Sequence, residues 1–224
     1  ASLTDADGRV TVPGFYDRVR ELSPAERTDF GRAPFCEAAF CKSIGVRETA
    51  GEKGYSTMER IGVRPSLDVN GIWGGYTGEG AKTIIPSKAH AKISMRLVPD
   101  QDYREIGRLF AEHFRSIAPR SVRVDVEVLH GGFPYVCPTD LPAYRAAARA
   151  VERTFGRKPL PYYSGGSIPI ISTFEKELGV KSVLLGFGLD RDAIHSPNES
   201  YGLENFLRGI ETIVWFYREF AAGR

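Results

Sequence analysis

The residue types able to do chemistry concentrate between Gly165 and Glu199. Gly165-Gly166-Ser167-Ile168-Pro169 precedes an apolar run, Val183-Leu184-Leu185-Gly186-Phe187, which leads into the loop Ala193-Ile194-His195-Ser196-Pro197-Asn198-Glu199. An imidazole in a loop can ligate a metal, move a proton or simply hydrogen-bond its surroundings, and all three readings are open for His195. Two glycines let the backbone approach a ligand closely, and Ser167 can cap a helix whose first turn holds Pro169. Such a helix start attracts anions, because free amides and the positive dipole end coincide there. Ser167 is a poor nucleophile, since Gly165-x-Ser167-x-Pro169 lacks the closing glycine of a nucleophile elbow and has no partner histidine near it. A helix cap that also touches ligand is the better reading of Gly166 and Ser167.

Three more positions deserve weighing. Arg96 falls on the wet side of an alternating stretch, where an arginine is ordinarily solvated unless a carboxylate must be held by its two-pronged guanidinium. Thr83, in Ala81-Lys82-Thr83-Ile84-Ile85-Pro86, is as consistent with simple strand preference, and His130 before Gly131-Gly132 as consistent with a strand end. The glycines from Gly71 to Gly80 are not followed by Gly-Lys-Ser/Thr and so do not make a phosphate loop. A two-metal site needs about four donors per ion. The sequence has no His-x-Asp and no Glu-Glu pair, and His90 and His113 fall on a strand and a helix, so a complete metal site is not expected in this chain.

The elements that must position these residues divide into two styles. Ser23-Pro24-Ala25-Glu26 marks a helix start, predicting a short helix around 24–30, and a second is expected near 35–43. Leu67 and Val69, and then Ala91, Ile93, Met95 and Leu97, alternate with polar neighbours as strands do. Asp100 or Asp102 can cap a helix carrying Tyr103, Ile106, Phe110 and Ile117, stopped by Pro119. Val122, Val124, Val126 and Val128 predict another half-exposed strand. Together these make a small α+β layer with an antiparallel sheet, ending near 131–138. Beyond it, Asp140 is expected to cap a helix with Tyr144, Ala148, Val151 and Phe155 on one face, closed by Gly156 and Pro159. The run 183–187, apolar on both faces, predicts a strand covered from both sides. A last helix carries Leu203, Phe206, Leu207, Ile210, Val214 and Tyr217. Helix and buried strand in alternation are an α/β arrangement, which puts His195 after a strand's carboxyl end, where such sheets bind ligands.

The totals set outer limits. A chain of 224 residues, 42% hydrophobic, can bury a substantial core in one large domain or two small ones. Thirty basic against 28 acidic side chains leave a net charge of +2, which gives no electrostatic case for nucleic acid and favours a small ligand or a protein as partner. Cys36, Cys41 and Cys137 are too few and too odd in number for a disulfide framework, which favours a reducing compartment. No apolar run approaches the ~20 residues of a membrane span, so a soluble protein is expected. The opening Ala1-Ser2-Leu3-Thr4 reads as the last turn of a helix whose beginning is absent.

Five segments taken in order resemble one family: Gly71-Ile72-Trp73-Gly74-Gly75-Tyr76-Thr77-Gly78, Lys82-Thr83-Ile84-Ile85-Pro86, Arg96-Leu97-Val98-Pro99, Gly165-Gly166-Ser167-Ile168-Pro169 and His195-Ser196-Pro197-Asn198-Glu199. The chain is similar, over essentially its whole length, to the zinc-dependent aminoacylase and carboxypeptidase family, in particular its carnosine-dipeptidase-like branch. The resemblance implies a lid domain with an antiparallel sheet and two helices over 1–132, its first helix truncated. It implies that 133–224 is the C-terminal part of a zinc-exopeptidase-like α/β catalytic domain. It also implies a hydrolase using two divalent metal ions, zinc foremost and manganese or cobalt as alternatives, that cleaves dipeptides or acyl-amino acids next to a free carboxylate. His195 then corresponds to a metal ligand; Arg96 pairs with the substrate carboxylate; Thr83, His130, Gly166 and Ser167 are substrate contacts, and Thr83 and His130 act in cis or, through a homodimer formed by the lid, in trans. From the charge, the cysteines and the lack of a long apolar run, a cytoplasmic protein that engages neither nucleic acid nor membrane is expected. The family's other metal ligands and its general base would precede residue 1, so the expected reading is a fragment, inactive alone. The alternative is a non-catalytic dimerisation or peptide-binding module.

Overall fold

The computed structural model describes residues 3–164 and 168–223, which form a mixed α/β fold. In chain order these residues make α1 (Pro24–Phe30), α2 (Glu37–Ile44), α3 (Thr57–Gly62), β1 (Ser66–Gly74), β2 (Ala89–Arg96), α4 (Tyr103–Ser116), α5 (Pro142–Phe155), α6 (Ile170–Leu178) and α7 (Leu203–Ala222), with a 3-10 turn at Asp190–Asp192. They separate into two compact units, one comprising 1–134 with 162–172 and the other 135–161 with 173–224.

The core of the first unit gathers Val10, Val12 and Phe15 from the opening segment onto Ile106 and Phe110 of α4, with Leu67, Ile93 and Met95 of the sheet packed against them. Gln101 ties these parts together: its side-chain oxygen accepts from the Val98 amide at 2.9 Å and its nitrogen donates to the Phe15 carbonyl at 2.7 Å. β1 and β2 are antiparallel, pairing Ser66 with Arg96 through Val69 with Ile93, then, after an irregularity between Val69 and Gly71, Gly71 with Lys92 through Gly74 with Ala89. Period-two alternation therefore places Ile93 and Met95 inward and Arg96 outward, as the pattern requires. The far half of the hairpin extends past the core: Ile72 is 77% exposed and Ala91 is exposed too.

Several local expectations change. Leu3 and Thr4 are not a helix end, since Thr4 bridges Val10 in an antiparallel pair. The stretch Val122–Val128 turns Val124 and Val126 inward but joins no ladder among the described residues; Val128 meets Gly107 of α4. Asp102, not Asp100, caps α4 by accepting from the Arg104 amide at 2.8 Å. Asp140 is not the cap of α5: Pro142 occupies the first helical position, so the cap falls on Leu141 with no side-chain bond. The short helix α3 was not expected, although Ser56-x-x-Glu59 forms a complete capping box, with Ser56 Oγ accepting from the Glu59 amide and the Glu59 carboxylate accepting from the Ser56 amide.

In the second unit α5 and α7 pack on one another. The buried face of α5 is Ala146, Ala147 and Ala150, not the larger stripe of Tyr144, Ala148, Val151 and Phe155, because small residues allow the close approach of α7, whose Thr212 is fully buried. The run 183–187 is the largest departure. It forms no ladder among the described residues, and only one of its faces is covered: Val183, Leu185 and Phe187 are half-buried while Leu184 is 52% exposed.

A buried ion pair stitches the opening loops of the first unit. Arg64 meets Glu52 with both prongs, Nε to Oε2 and Nη2 to Oε1 at 2.8 Å each, while Nη1 donates to Glu21 at 3.0 Å. The guanidinium also lies 4.2 Å from the Tyr55 ring centroid and 5.2 Å from that of Tyr16. Burial pulls the Arg64 pKa down, but the hydrogen bonds to Glu52 together with the nearby charges of Glu52, Tyr55 and Glu21 outweigh it, and the net shift is upward. Removing one member of such a pair strands the other charge. Arg64→Ala is therefore expected to destabilise the protein by about 3–5 kcal/mol in urea unfolding, with Arg64→Lys recovering only part because an ammonium cannot bond both carboxylate oxygens in plane.

Glu26 offers a pH test. Arg20 donates to both its oxygens at 2.9 and 2.8 Å, Ser23 adds its amide and hydroxyl, and the carboxyl is held down at about 2. A depressed folded-state pKa stabilises above the ordinary carboxylate value of 4.5, and that contribution is lost as pH falls toward 2. Glu26→Gln should flatten this part of the melting-temperature profile while leaving neutral-pH behaviour of the other carboxylates unchanged.

Candidate functional site

The geometry around His195 is built from three side chains the sequence reading did not single out. Tyr135 both accepts from the Ser182 amide at 2.9 Å and donates to the Ser182 carbonyl at 2.7 Å, fixing the start of the apolar run. Burial pushes the Tyr135 hydroxyl pKa up, so it stays protonated and able to donate. At the other end, Asn205 of α7 donates to the Phe187 carbonyl at 2.8 Å, and the Phe187 ring stacks on Phe155 with centroids 6.0 Å apart. Gly209 is required under that ring, since a Cβ there would stand 3.0 Å from Phe187. The run is thus pinned at both ends, and the loop that follows starts from a defined point.

Asp192 then shapes the loop. It is buried, and its carboxylate accepts from the Leu189 amide at 2.8 Å while its carbonyl accepts from the Ser200 amide at 2.9 Å. This closes the segment 189–200 at its base. Inside the closure the backbone is strained: Ala193, His195 and Asn198 have φ of 52°, 63° and 64°. Left-handed conformations of non-glycine residues cost on the order of 1–3 kcal/mol each and persist only where surroundings impose them. Turns from Ser196 to Ala193 and from Glu199 to Ser196 impose them here. The result is an exposed imidazole on an internally bonded loop. An accessible ring held this way can ligate a cation or exchange a proton with something that approaches it. The signal in the sequence was limited to Asp192-x-x-His195, too short to distinguish an anchoring carboxylate from a surface one.

In the first unit, Arg96 closes β2 opposite Ser66 on the solvent face, sharing that face with Ser94, Lys92 and His90. Thr83 lies exposed in the loop between the strands, among residues 75–88. His130 is exposed too, and the chain beside it is pressed against the start of α4: a Cβ on Gly131 would come within 2.2 Å of the Tyr103 ring, and Tyr103 meets Phe133 edge to face at 5.0 Å. Gly166 and Ser167, with Gly165, lie outside the described residues; α6 begins just beyond, at Ile170, after Pro169. Thr83, Arg96 and His130 belong to one unit and His195 to the other.

Among the described residues no three His, Cys, Asp or Glu side chains come together in a way that could hold a metal ion. His195 by itself does not make a metal centre. A cleft of about 120 Å³ between the start of α5 and the end of α7, lined by Pro142, Arg145, Arg149, Glu219, Phe220 and Gly223, contains none of the residues considered above. No helix among the described residues is long and apolar enough to cross a membrane.

Known proteins share both this sequence and this fold. The Cys-Gly metallodipeptidase of Schizosaccharomyces pombe is 31% identical over 226 residues, covering 99% of this chain and 47% of that protein. Human Beta-Ala-His dipeptidase is 28% identical over 223 residues, covering 98% of this chain and 44% of its own length. The chain thus spans about half the length of the curated relatives it matches. Solved structures agree: the dipeptidase Dug1p of Saccharomyces cerevisiae superposes with a TM-score of 0.85 at 28% identity, and human carnosine dipeptidase 1 with 0.86 at 28%, each covering 99% of this chain and 47% of the other. Residues 22–219 match the sequence profile of peptidase family M20/M25/M40, and the chain belongs to that family.

Proposed function

We propose that the whole protein is a two-metal hydrolase that cleaves dipeptides or related amide bonds next to a free carboxylate. On this reading 1–132 is a lid that also forms a homodimer, and 133–224 is the C-terminal part of the catalytic domain. The observation that carries the proposal is the loop at His195, strained at three non-glycine positions, closed by Asp192 and presenting its imidazole to solvent, in a chain whose relatives are named as dipeptidases. Strain maintained in this way is characteristic of residues that must present a side chain in one orientation.

The roles follow from side-chain chemistry. His195 supplies one ligand to a divalent metal, zinc or else manganese or cobalt, and such an ion supplies Lewis acidity when bound. That no three metal-ligating side chains come together among the described residues supports the reading that the remaining donors and the general base belong to a longer polypeptide, and that this chain alone is inactive. Arg96, on the outer face of β2, holds the substrate's terminal carboxylate with its planar fork. Thr83, His130, Gly166 and Ser167 surround the rest of a small peptide or acyl-amino acid.

The experiments use the protein as isolated from its natural host. Its intact mass should lie well above 24.8 kDa; a natural chain starting at Ala1 overturns the fragment reading. Arg96→Ala should raise KM for free dipeptides by roughly 10- to 100-fold, the worth of a charged hydrogen bond, and change KM for their amides much less. Equal losses on both would count against a carboxylate contact. His195→Ala should lower bound metal per protein by elemental analysis, and unchanged stoichiometry would remove it from the ligand set.

A further inference from the structure

Residues 162–172 belong to the first unit, although the chain on either side of them, 135–161 and 173–224, belongs to the second. This short arm carries Gly165-Gly166-Ser167, and its two described flanks are each fastened within the first unit. Pro159 and Pro161 keep the approach out of helix. Tyr163 then lays its ring on that of Phe30, the last residue of α1, with centroids 5.5 Å apart and planes 2° from parallel. Gly62, the last residue of α3, meets both: a Cβ there would stand 2.8 Å from the Tyr163 carbonyl oxygen, 2.9 Å from the Tyr163 Cβ and 3.3 Å from the Phe30 ring. The φ of Gly62 is not positive, so the position requires the absence of a side chain and not a conformation peculiar to glycine.

The far flank is fastened by a second glycine. A Cβ on Gly132 would come within 2.8 Å of the Pro169 Cβ, while its neighbour Gly131 is pressed on Tyr103 of α4. The two adjacent glycines thus let the chain after His130 touch α4 with one and the arm with the other. From Pro169 the arm enters α6, the Ile171 amide donating to the Ile168 carbonyl at 3.1 Å and the Ser172 hydroxyl to the Pro169 carbonyl at 2.9 Å. Gly166 is three residues from Tyr163 and from Pro169. Three residues of chain reach at most about 10 Å, so Gly166 and Ser167 go where these two anchors go. Glycine-rich chain has the most backbone freedom to lose, and ends fastened in advance spare a ligand part of that ordering cost.

We propose that Tyr163, stacked on Phe30 over Gly62, and Gly132, against Pro169, are positioning residues that hold the arm of Gly166 and Ser167 on the unit that also carries Thr83, Arg96 and His130. The inference rests on the reading of Gly166 and Ser167 as substrate contacts, and adds which side chains place them. A segment that the sequence groups with 133–224 is held by groups from 1–134.

The test is steady-state kinetics of the full natural protein on a panel of free dipeptides, the one cleaved fastest being carried through the variants. Tyr163→Ala is expected to raise KM about tenfold with kcat within about twofold, the mark of lost binding and not of lost chemistry. Tyr163→Phe, which keeps the ring, is expected to retain the KM of the unaltered protein. Phe30→Ala combined with Tyr163→Ala should be no worse than either alone, since both remove the same contact. Gly132→Ala, acting at the other flank, should raise KM as well. Tyr163→Leu replaces Tyr163→Ala if the latter loses its helical circular dichroism. Unchanged KM in the Tyr163 and Gly132 variants, while Gly166→Val and Ser167→Ala raise it, overturns the positioning role and leaves the substrate contacts standing. Tyr163→Phe as impaired as Tyr163→Ala, or a fall in kcat at constant KM, also overturns it. Unchanged KM in Gly166→Val and Ser167→Ala, or cleavage of no dipeptide in the panel, overturns the reading on which the inference rests.

Discussion

Two side-chain contacts hold the run that leads into the His195 loop: Tyr135 bonded to both backbone groups of Ser182, and Asn205 bonded to the carbonyl of Phe187. A strand ordinarily owes its position to a ladder of backbone bonds with its neighbours. The run 183–187 has none among the described residues, so these end contacts, with Phe187 stacked on Phe155 and seated over Gly209, do the positioning. Everything downstream, the turn at Asp190–Asp192 and the strained loop holding His195, inherits its place from them.

The first unit is organised by a different kind of force. Its opening loops contribute little apolar surface beyond Val10, Val12 and Phe15, and are joined by charge instead, with Arg64 between Glu52, Glu21 and two tyrosine rings. Burying a guanidinium is unfavourable unless its donors are satisfied, and satisfying them requires the loops to arrive in one arrangement. The pair accordingly specifies how Glu21, Glu52 and Tyr55 come together, while the hydrophobic core under β1, β2 and α4 supplies the bulk of the stability. The strand of Arg96 is fixed by inward Ile93 and Met95, which leaves Arg96 on the outer face.

Apolar surface left uncovered carries information of its own. The far end of the hairpin exposes Ile72 and Trp73, where Trp73 stacks on His90 at 5.1 Å, and the second unit exposes one stripe of α7 and one face of the 183–187 run. Scattered apolar residues on a surface need no explanation, but aligned ones at helical and strand periodicity do.

Periodicity in the sequence by itself determined the mixed α/β class, the helices α1, α2, α4, α5 and α7 within a few residues, and the inward and outward faces of β2, because each depends on neighbours three, four or two positions apart. It also marked His195, Arg96, Thr83 and His130 as candidates, and the order of five short segments pointed to the family. Tertiary structure alone decided the rest. That α5 packs through Ala146, Ala147 and Ala150, that Val122–Val128 and 183–187 lack ladders among the described residues, and that Tyr135, Asp192 and Asn205 hold the His195 loop all depend on partners such as the Tyr135 and Ser182 pair, 47 positions apart. Local pattern records which way a side chain faces; which distant group it meets there is settled only when the chain closes on itself, since packing and hydrogen bonding act through space and not along the sequence.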